Sequence, residues 1–326
     1  MAGGSRSAAL ATETHQRRIR AMSTRDLEGY GGRWPDMAWP GGSRLAVSVV
    51  VNFEEGAELQ VGDGDPRSEI MGEVMSVVPP GVRDVGQEQI FGYGLRAGLW
   101  RMLDALDEHA VKATFFFCGK AVDRSPALAR AVTDRGHEPA VHGWRWRPHA
   151  DYANAKDEAV DLDRSVNTIQ AATGVSPVGF FCRGSESPWT RELLAERGFL
   201  YTANGLDDDL PYYDHSLRNG PLLVVPYALD SNDMKFFHPN GFVRSSEMVD
   251  YVSDALDTLE AEAARGLPRL LNLGFHLRIV GRPGRFAAFQ NILRLLVSRR
   301  DRLWIAPRAS IARAFIDAVP PPGLRR

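Results

Sequence analysis

Two regimes of hydrophobic patterning alternate along this chain. Short, nearly uncharged runs rich in β-branched and aromatic residues read as strands buried on both faces, and longer segments with apolar residues at helical spacing read as amphipathic helices. The first run, Leu45 to Val51, passes into Asn52-Phe53-Glu54-Glu55-Gly56, so a buried strand ends on an adjacent pair of carboxylates. Strands are then predicted over Lys112–Gly119, Glu138–Val141, Val178–Cys182, Leu200–Thr202, Leu222–Tyr227, Leu270–Phe275 and Trp304–Ala306. Between them, helices are predicted over Leu95–His109, Ser125–Arg135, Ala155–Thr173, Thr190–Arg197, Ser246–Arg265 and Arg285–Arg299. Several are punctuated by Pro in the first turn or Gly past the end. Residues 1–25 are small, polar and basic without periodicity and read as a flexible arm. Gly62 to Gly94 is a long polar stretch with a Pro79-Pro80 pair; a loop of that length in a compact domain often has a task.

Strand–helix alternation of this kind implies a parallel sheet, and about seven such units in 326 residues favour a distorted (β/α) barrel. No linker or internal repeat interrupts it, so one domain is expected over residues 26–326. In a parallel barrel the carboxyl ends of the strands converge on one face. The residues at those ends are Glu54 and Glu55, His142, Arg183, Asp230 and Asp233, then His276 and Arg278. Each has an ordinary structural alternative: a satisfied core histidine, a turn aspartate, a salt-bridge arginine. Their joint occurrence at strand ends is what marks a candidate site.

Composition narrows the function by exclusion. A net charge of −2 leaves no global basic footprint for nucleic acid or an anionic membrane. Cys118 and Cys182 both sit in apolar runs, which reads as buried thiol, and two cysteines build no disulfide scaffold. No apolar stretch reaches the length of a membrane span. Arg17, Arg18 and Arg20 precede no hydrophobic segment, so a secretory signal is not read and a cytoplasmic location is expected.

The strand-end residues, in their sequence context, resemble the polysaccharide-deacetylase superfamily. They are Phe53-Glu54-Glu55-Gly56, His142-Gly143-Trp144-Arg145-Trp146, Arg183, Leu229 to Met234, and the run from His276 to Arg285 of pattern His-x-Arg-x-x-Gly-Arg-Pro-Gly-Arg. The last is the most specific. Asp207 to Tyr212 and Asp26 to Tyr30 extend the match, which covers nearly all of the chain after about residue 25. More closely, the chain looks like the branch of small-amide hydrolases that holds the deacetylase-like allantoinase and the cyclic imide hydrolases.

What the resemblance implies is hydrolysis of a non-peptide amide bond, most closely ring opening of a small cyclic ureide or imide. N-deacetylation of an amino sugar, or a degenerate barrel that only binds, are the alternatives. By order in the family motif, Glu54 is the base and Glu55 a metal ligand, with His142 and His149 completing a shell for Zn²⁺. Two departures bear on that ion. The family's acidic pair is Asp-Asp where this chain has glutamates, and its histidines are usually one helical turn apart where these are seven apart, with Pro148 between. Catalysis without a metal is therefore the alternative, with Glu54 activating water directly. Amide hydrolysis also needs an oxyanion stabiliser and an acid for the departing nitrogen. Arg183 and amides near Gly184 suit the first; His276, oriented by Asp233, suits the second. Trp144, Trp146, Arg278 and Arg282 are assigned to substrate contact. Partners implied by the resemblance are a small molecule and further copies of the chain, with the Gly62–Gly94 segment long enough to cross into a neighbouring subunit.

Overall fold

The computed structural model describes residues 26–321. They fall into two units, one ending at Trp34 and one running from Pro35 onward, and each is taken by itself. In the first, Asp26 Oδ1 accepts from the backbone N–H groups of Glu28 and Gly29, closing a turn. The arm expected over residues 1–25 lies outside the described residues.

The second unit is a sheet curled into a half-barrel. Its strands are β1 (Leu45–Phe53), β2 (Thr114–Phe117), β3 (Glu138–Val141), β4 (Gly179–Phe180), β5 (Tyr201–Thr202), β6 (Tyr212–Asp214), β7 (Leu222–Val224), β8 (Arg269–His276) and β9 (Leu303–Ile305). Their order is β6-β7-β5-β4-β3-β2-β1-β8, with β9 on the lower half of β1. All neighbours are parallel except β6, which returns antiparallel along β7. The β1–β8 pair runs in register from Leu45↔Arg269 to Asn52↔His276, which sets His276 opposite Asn52, two residues before Glu54. The open side between β7 and β8 is bridged by the segment after β7, where Asn232 pairs with Gly274 and Ser231 Oγ donates to Asn272 O.

Every residue of β1 and β8 is buried, as parallel strands covered on both faces must be. Most predicted elements fall where the pattern put them, and the helix Ala155–Thr173 does so to the residue. The main departure is upstream. A helix at Val85–Tyr93 and a π-helical turn at Gly94–Gly98 precede Leu99–Glu108, so part of the expected loop is helix. Three glycines let this π turn lie directly against Glu55 and the loop after β8. A Cβ at Gly98 would lie 2.0 Å from Leu277 O, one at Gly281 2.6 Å from Gly98 Cα, and one at Gly94 2.4 Å from Glu55 Oε1. The turn thereby holds the loop after β8 against the end of β1.

Candidate active site

β1 delivers Glu54 into the barrel mouth, where it is 1% exposed. Its Oε1 lies 3.2 Å from His142 Nε2 at the end of β3 and 3.3 Å from His276 Nε2 at the end of β8. Its Oε2 accepts from Arg278 Nη1 at 2.6 Å. Behind His276, Asp233 Oδ1 accepts a hydrogen bond from Nδ1 at 2.6 Å, while Asp233 Oδ2 accepts from the backbone N–H groups of His276 and Val280. His142 is held by a donation from Nδ1 to Phe181 O at 2.8 Å and by parallel stacking on the Phe181 ring. Phe181 stacks in turn on Tyr227, whose hydroxyl accepts from both Asn52 and Asn232.

The electrostatics are those of a buried carboxylate between cations. Burial alone would push Glu54 up; Arg278 and His276 outweigh it and hold its pKa well below the usual carboxylate range. Burial likewise opposes charge on His276, but Glu54 and Asp233 raise it to about 9, so it is an imidazolium at neutral pH. Glu55 behaves differently. Burial lifts it to about 7 against the pull of Arg278. Its oxygens face backbone, accepting from Glu54 N at 3.1 Å and Arg278 N at 3.2 Å.

A stability profile follows from His276. The folded imidazole keeps its proton up to about 9, against an ordinary value of 6.5. The stabilisation is therefore complete below about pH 6.5 and is lost as pH rises through 9. Urea midpoints are expected to fall between pH 7 and 10, and to fall less in His276→Gln.

The remaining predicted residues are distributed unevenly. His142, Asp233, His276 and Arg278 converge on Glu54, and the Trp146 ring lies 4.7 Å from the Arg278 guanidinium. Arg183 is one layer further out. It stacks on Trp146 at 3.7 Å and pairs with Glu69 at 2.7 Å, so the guanidinium beside Glu54 is that of Arg278 rather than Arg183. Trp144 packs under Arg164 and against Gly119, and Arg282 lies over Tyr93 and 3.4 Å from Glu73. Asp230 bonds Tyr251 at the surface.

His149 is not brought to Glu54. Its Nδ1 is 2.8 Å from Glu158 Oε1, and Ser187 and Thr190 bond the same carboxylate. Asn52, Tyr227 and Phe181 went unread in the sequence; the one available signal was a polar Asn52 inside an apolar strand.

The comparisons agree with this architecture. A model of the polysaccharide deacetylase domain matches residues 89–201. A Schizosaccharomyces pombe protein assigned to the polysaccharide deacetylases is 34% identical over 321 residues, spanning 90% of this chain and 97% of that one. This chain belongs to the polysaccharide deacetylase family. Among solved structures, a Pseudomonas aeruginosa PAO1 protein assigned to the same family superposes with a TM-score of 0.86 at 38% identity, covering 91% of this chain and 99% of that one. PuuE allantoinase superposes equally well, with a TM-score of 0.86 at 37% identity, covering 91% and 98%. Deacetylase-family members of this kind are hydrolases of C–N bonds, and this chain is an enzyme of that class.

The metal shell that the family resemblance implies can be tested on the residues themselves. Glu55, His142 and His149 do not meet. Both oxygens of Glu55 face backbone N–H groups, and the free Nε2 of His149 faces Gly143, where a Cβ would lie 2.6 Å away. Among the described residues no group of three or more His, Cys, Asp or Glu side chains could hold an ion. Beside Glu54 the cation is already a guanidinium, 2.6 Å away and fully buried. These residues do not fit a metal ion.

Proposed function

We propose that this deacetylase-family hydrolase opens the ring of a small cyclic ureide or imide. The observation that carries the reading is the Asp233–His276–Glu54–Arg278 row, closed from water, in a chain that matches PuuE allantoinase over nearly its full length. Glu54, ionised at any working pH, accepts a proton from the attacking water. The carbonyl oxygen becomes an oxyanion facing Arg278, whose Nε is buried without a partner and free to donate. As the C–N bond breaks, the His276 imidazolium gives its Nε2 proton to the departing nitrogen. The proton on Glu54 then returns to His276 across the 3.3 Å contact, and the site is reset. Asp233 holds the imidazole in the tautomer this requires. A strongly depressed Glu54 is a weak base in the resting site, and the transfer to nitrogen supplies the driving force once substrate is bound.

Assays of ring opening on allantoin, hydantoin, dihydrouracil and succinimide test the reading, and turnover of none of them would end it. Turnover is expected to persist after dialysis against a chelator; loss on chelation with recovery on adding Zn²⁺ would return an ion to the mechanism. Assembly into a homo-oligomer and a cytoplasmic location belong to the same proposal. Sedimentation at micromolar concentration that showed only a lone 36.0 kDa species would remove the first of these.

A further inference from the structure

The first part of the Gly62–Gly94 segment, expected from sequence to be long enough to cross into a neighbouring subunit, pairs with its own barrel from Asp63 to Glu73. Four of its acidic residues, Asp63, Asp65, Glu69 and Glu73, each meet a basic residue from the chain that follows a different strand. Asp63 bonds Lys120 at 2.8 Å and also Arg124, both just after β2. Asp65 bonds Arg145, after β3. Glu69, which is 3% exposed, bonds Arg183, after β4. Glu73 bonds Arg285 through both oxygens, at 2.7 and 2.8 Å, and lies 3.4 Å from Arg282, after β8.

The order of these contacts fixes the path. Asp63, Asp65 and Glu69 follow the sheet outward through the ends of β2, β3 and β4. Glu73 then lands at β8, and the sheet order β4-β3-β2-β1-β8 separates those two strands by three others. Four residues reach at most about 14 Å, so between Glu69 and Glu73 the chain crosses the mouth of the curled sheet instead of following its rim. Beneath the crossing, Glu69, Arg183, Trp146, Arg278 and Glu54 form one continuous column. Glu54, His142, His276 and Arg278 are all 4% exposed or less under it. Beside Glu73, Arg282 and Arg285 an open depression of about 670 Å³ reaches the start of the helix Ser245–Ala264.

We propose that residues 63–73 are a strap, latched across the carboxyl face of the barrel by four carboxylate anchors, that limits the site to substrates small enough to be enclosed. This rests on the hydrolytic reading of the Glu54 site and narrows its substrate class: a polymer chain cannot lie across a mouth that the strap spans. The anchors are largely covered ion pairs whose basic partners reach solvent at one edge, so ionic strength weakens them in part. Opening then means releasing the Glu69 and Glu73 anchors on either side of the crossing.

The test is amide hydrogen exchange on the full chain, comparing wild type with the double variant Glu69→Gln, Glu73→Gln. Peptides from residues 59–82 are expected to exchange roughly tenfold faster in the variant, while peptides of β1 and β8 keep their protection. Wild type in 1 M NaCl is expected to shift in the same direction by a smaller factor, which guards against a variant that fails to fold. Exchange in 59–82 unchanged under both conditions would overturn the latch. The size limit is read separately on wild type, with N-acetylglucosamine hexamer as competitor against a small amide. No competition is expected, and competitive inhibition would overturn the limit. Failure of every ring-opening assay would sink the functional reading and leave the exchange result interpretable.

Discussion

Glu54→Gln is expected to lower kcat by roughly 10²–10⁴-fold, the usual worth of a positioned proton acceptor, with KM little changed. The amide keeps the shape of the carboxylate but cannot take the proton from water or return it to His276 across their 3.3 Å contact. It also removes the negative charge that, with Asp233, holds His276 protonated to about 9. The variant's residual rate should therefore lose its acid form at a lower pH than wild type. Rate measurements from pH 6 to 10 check both effects. A wild-type kcat in the variant would remove Glu54 from the reaction.

Arg278→Met is expected to be the most damaging change to stability. The guanidinium is 1% exposed, 2.6 Å from Glu54 and 3.6 Å from Glu55, and sits against the rings of Phe91 and Trp146. Removing one partner of a buried pair leaves the other charge uncompensated, which costs about 3–5 kcal/mol. Methionine fills much of the volume, so the loss isolates charge from packing. Adding Glu54→Gln to Arg278→Met removes the stranded charge and is expected to recover part of the loss. Urea unfolding of the two single variants and the double variant measures the coupling directly. Equal losses for Arg278→Met with and without Glu54→Gln would show that the pair is not energetically joined.

The sequence carried the barrel and the direction of its chemistry, because strand ends in a parallel sheet converge whatever joins them. Glu54, His142, Asp233, His276 and Arg278 were all legible by that rule. Other features were not. Glu55 follows Glu54 at the end of an extended strand, where successive side chains point to opposite sides, and its carboxylate turns to the backbone of the loop after β8. Sequence order alone does not say which of two adjacent carboxylates faces the site. His149 is drawn away by Glu158, which occupies the inward face of the helix Ala155–Thr173 with Leu162, Ser165 and Ile169. A glutamate on an otherwise buried helical stripe needs a partner, and that was the signal available.

The segment before Leu95 was harder to read. Gly86 and Gly92 dilute the helical pattern over Val85–Tyr93, and Gly94 just beyond it lies against Glu55 and the backbone N of Arg278, a contact that only the folded chain reveals. Arg183 illustrates the same limit. It stands at a strand end as expected, but a glutamate from a distant segment claims it, and Arg278 takes the position beside Glu54.

The central claim is that this site opens small rings by way of Glu54, and a head-to-head measurement on one preparation tests it most directly. Ring opening of the best substrate among allantoin, hydantoin, dihydrouracil and succinimide is followed beside acetate release from N-acetylglucosamine oligomers, with Glu54→Gln as the control for each. Ring opening with a kcat/KM far above that for acetate release, and lost in the control, is the expected result; acetate release without ring opening would contradict it.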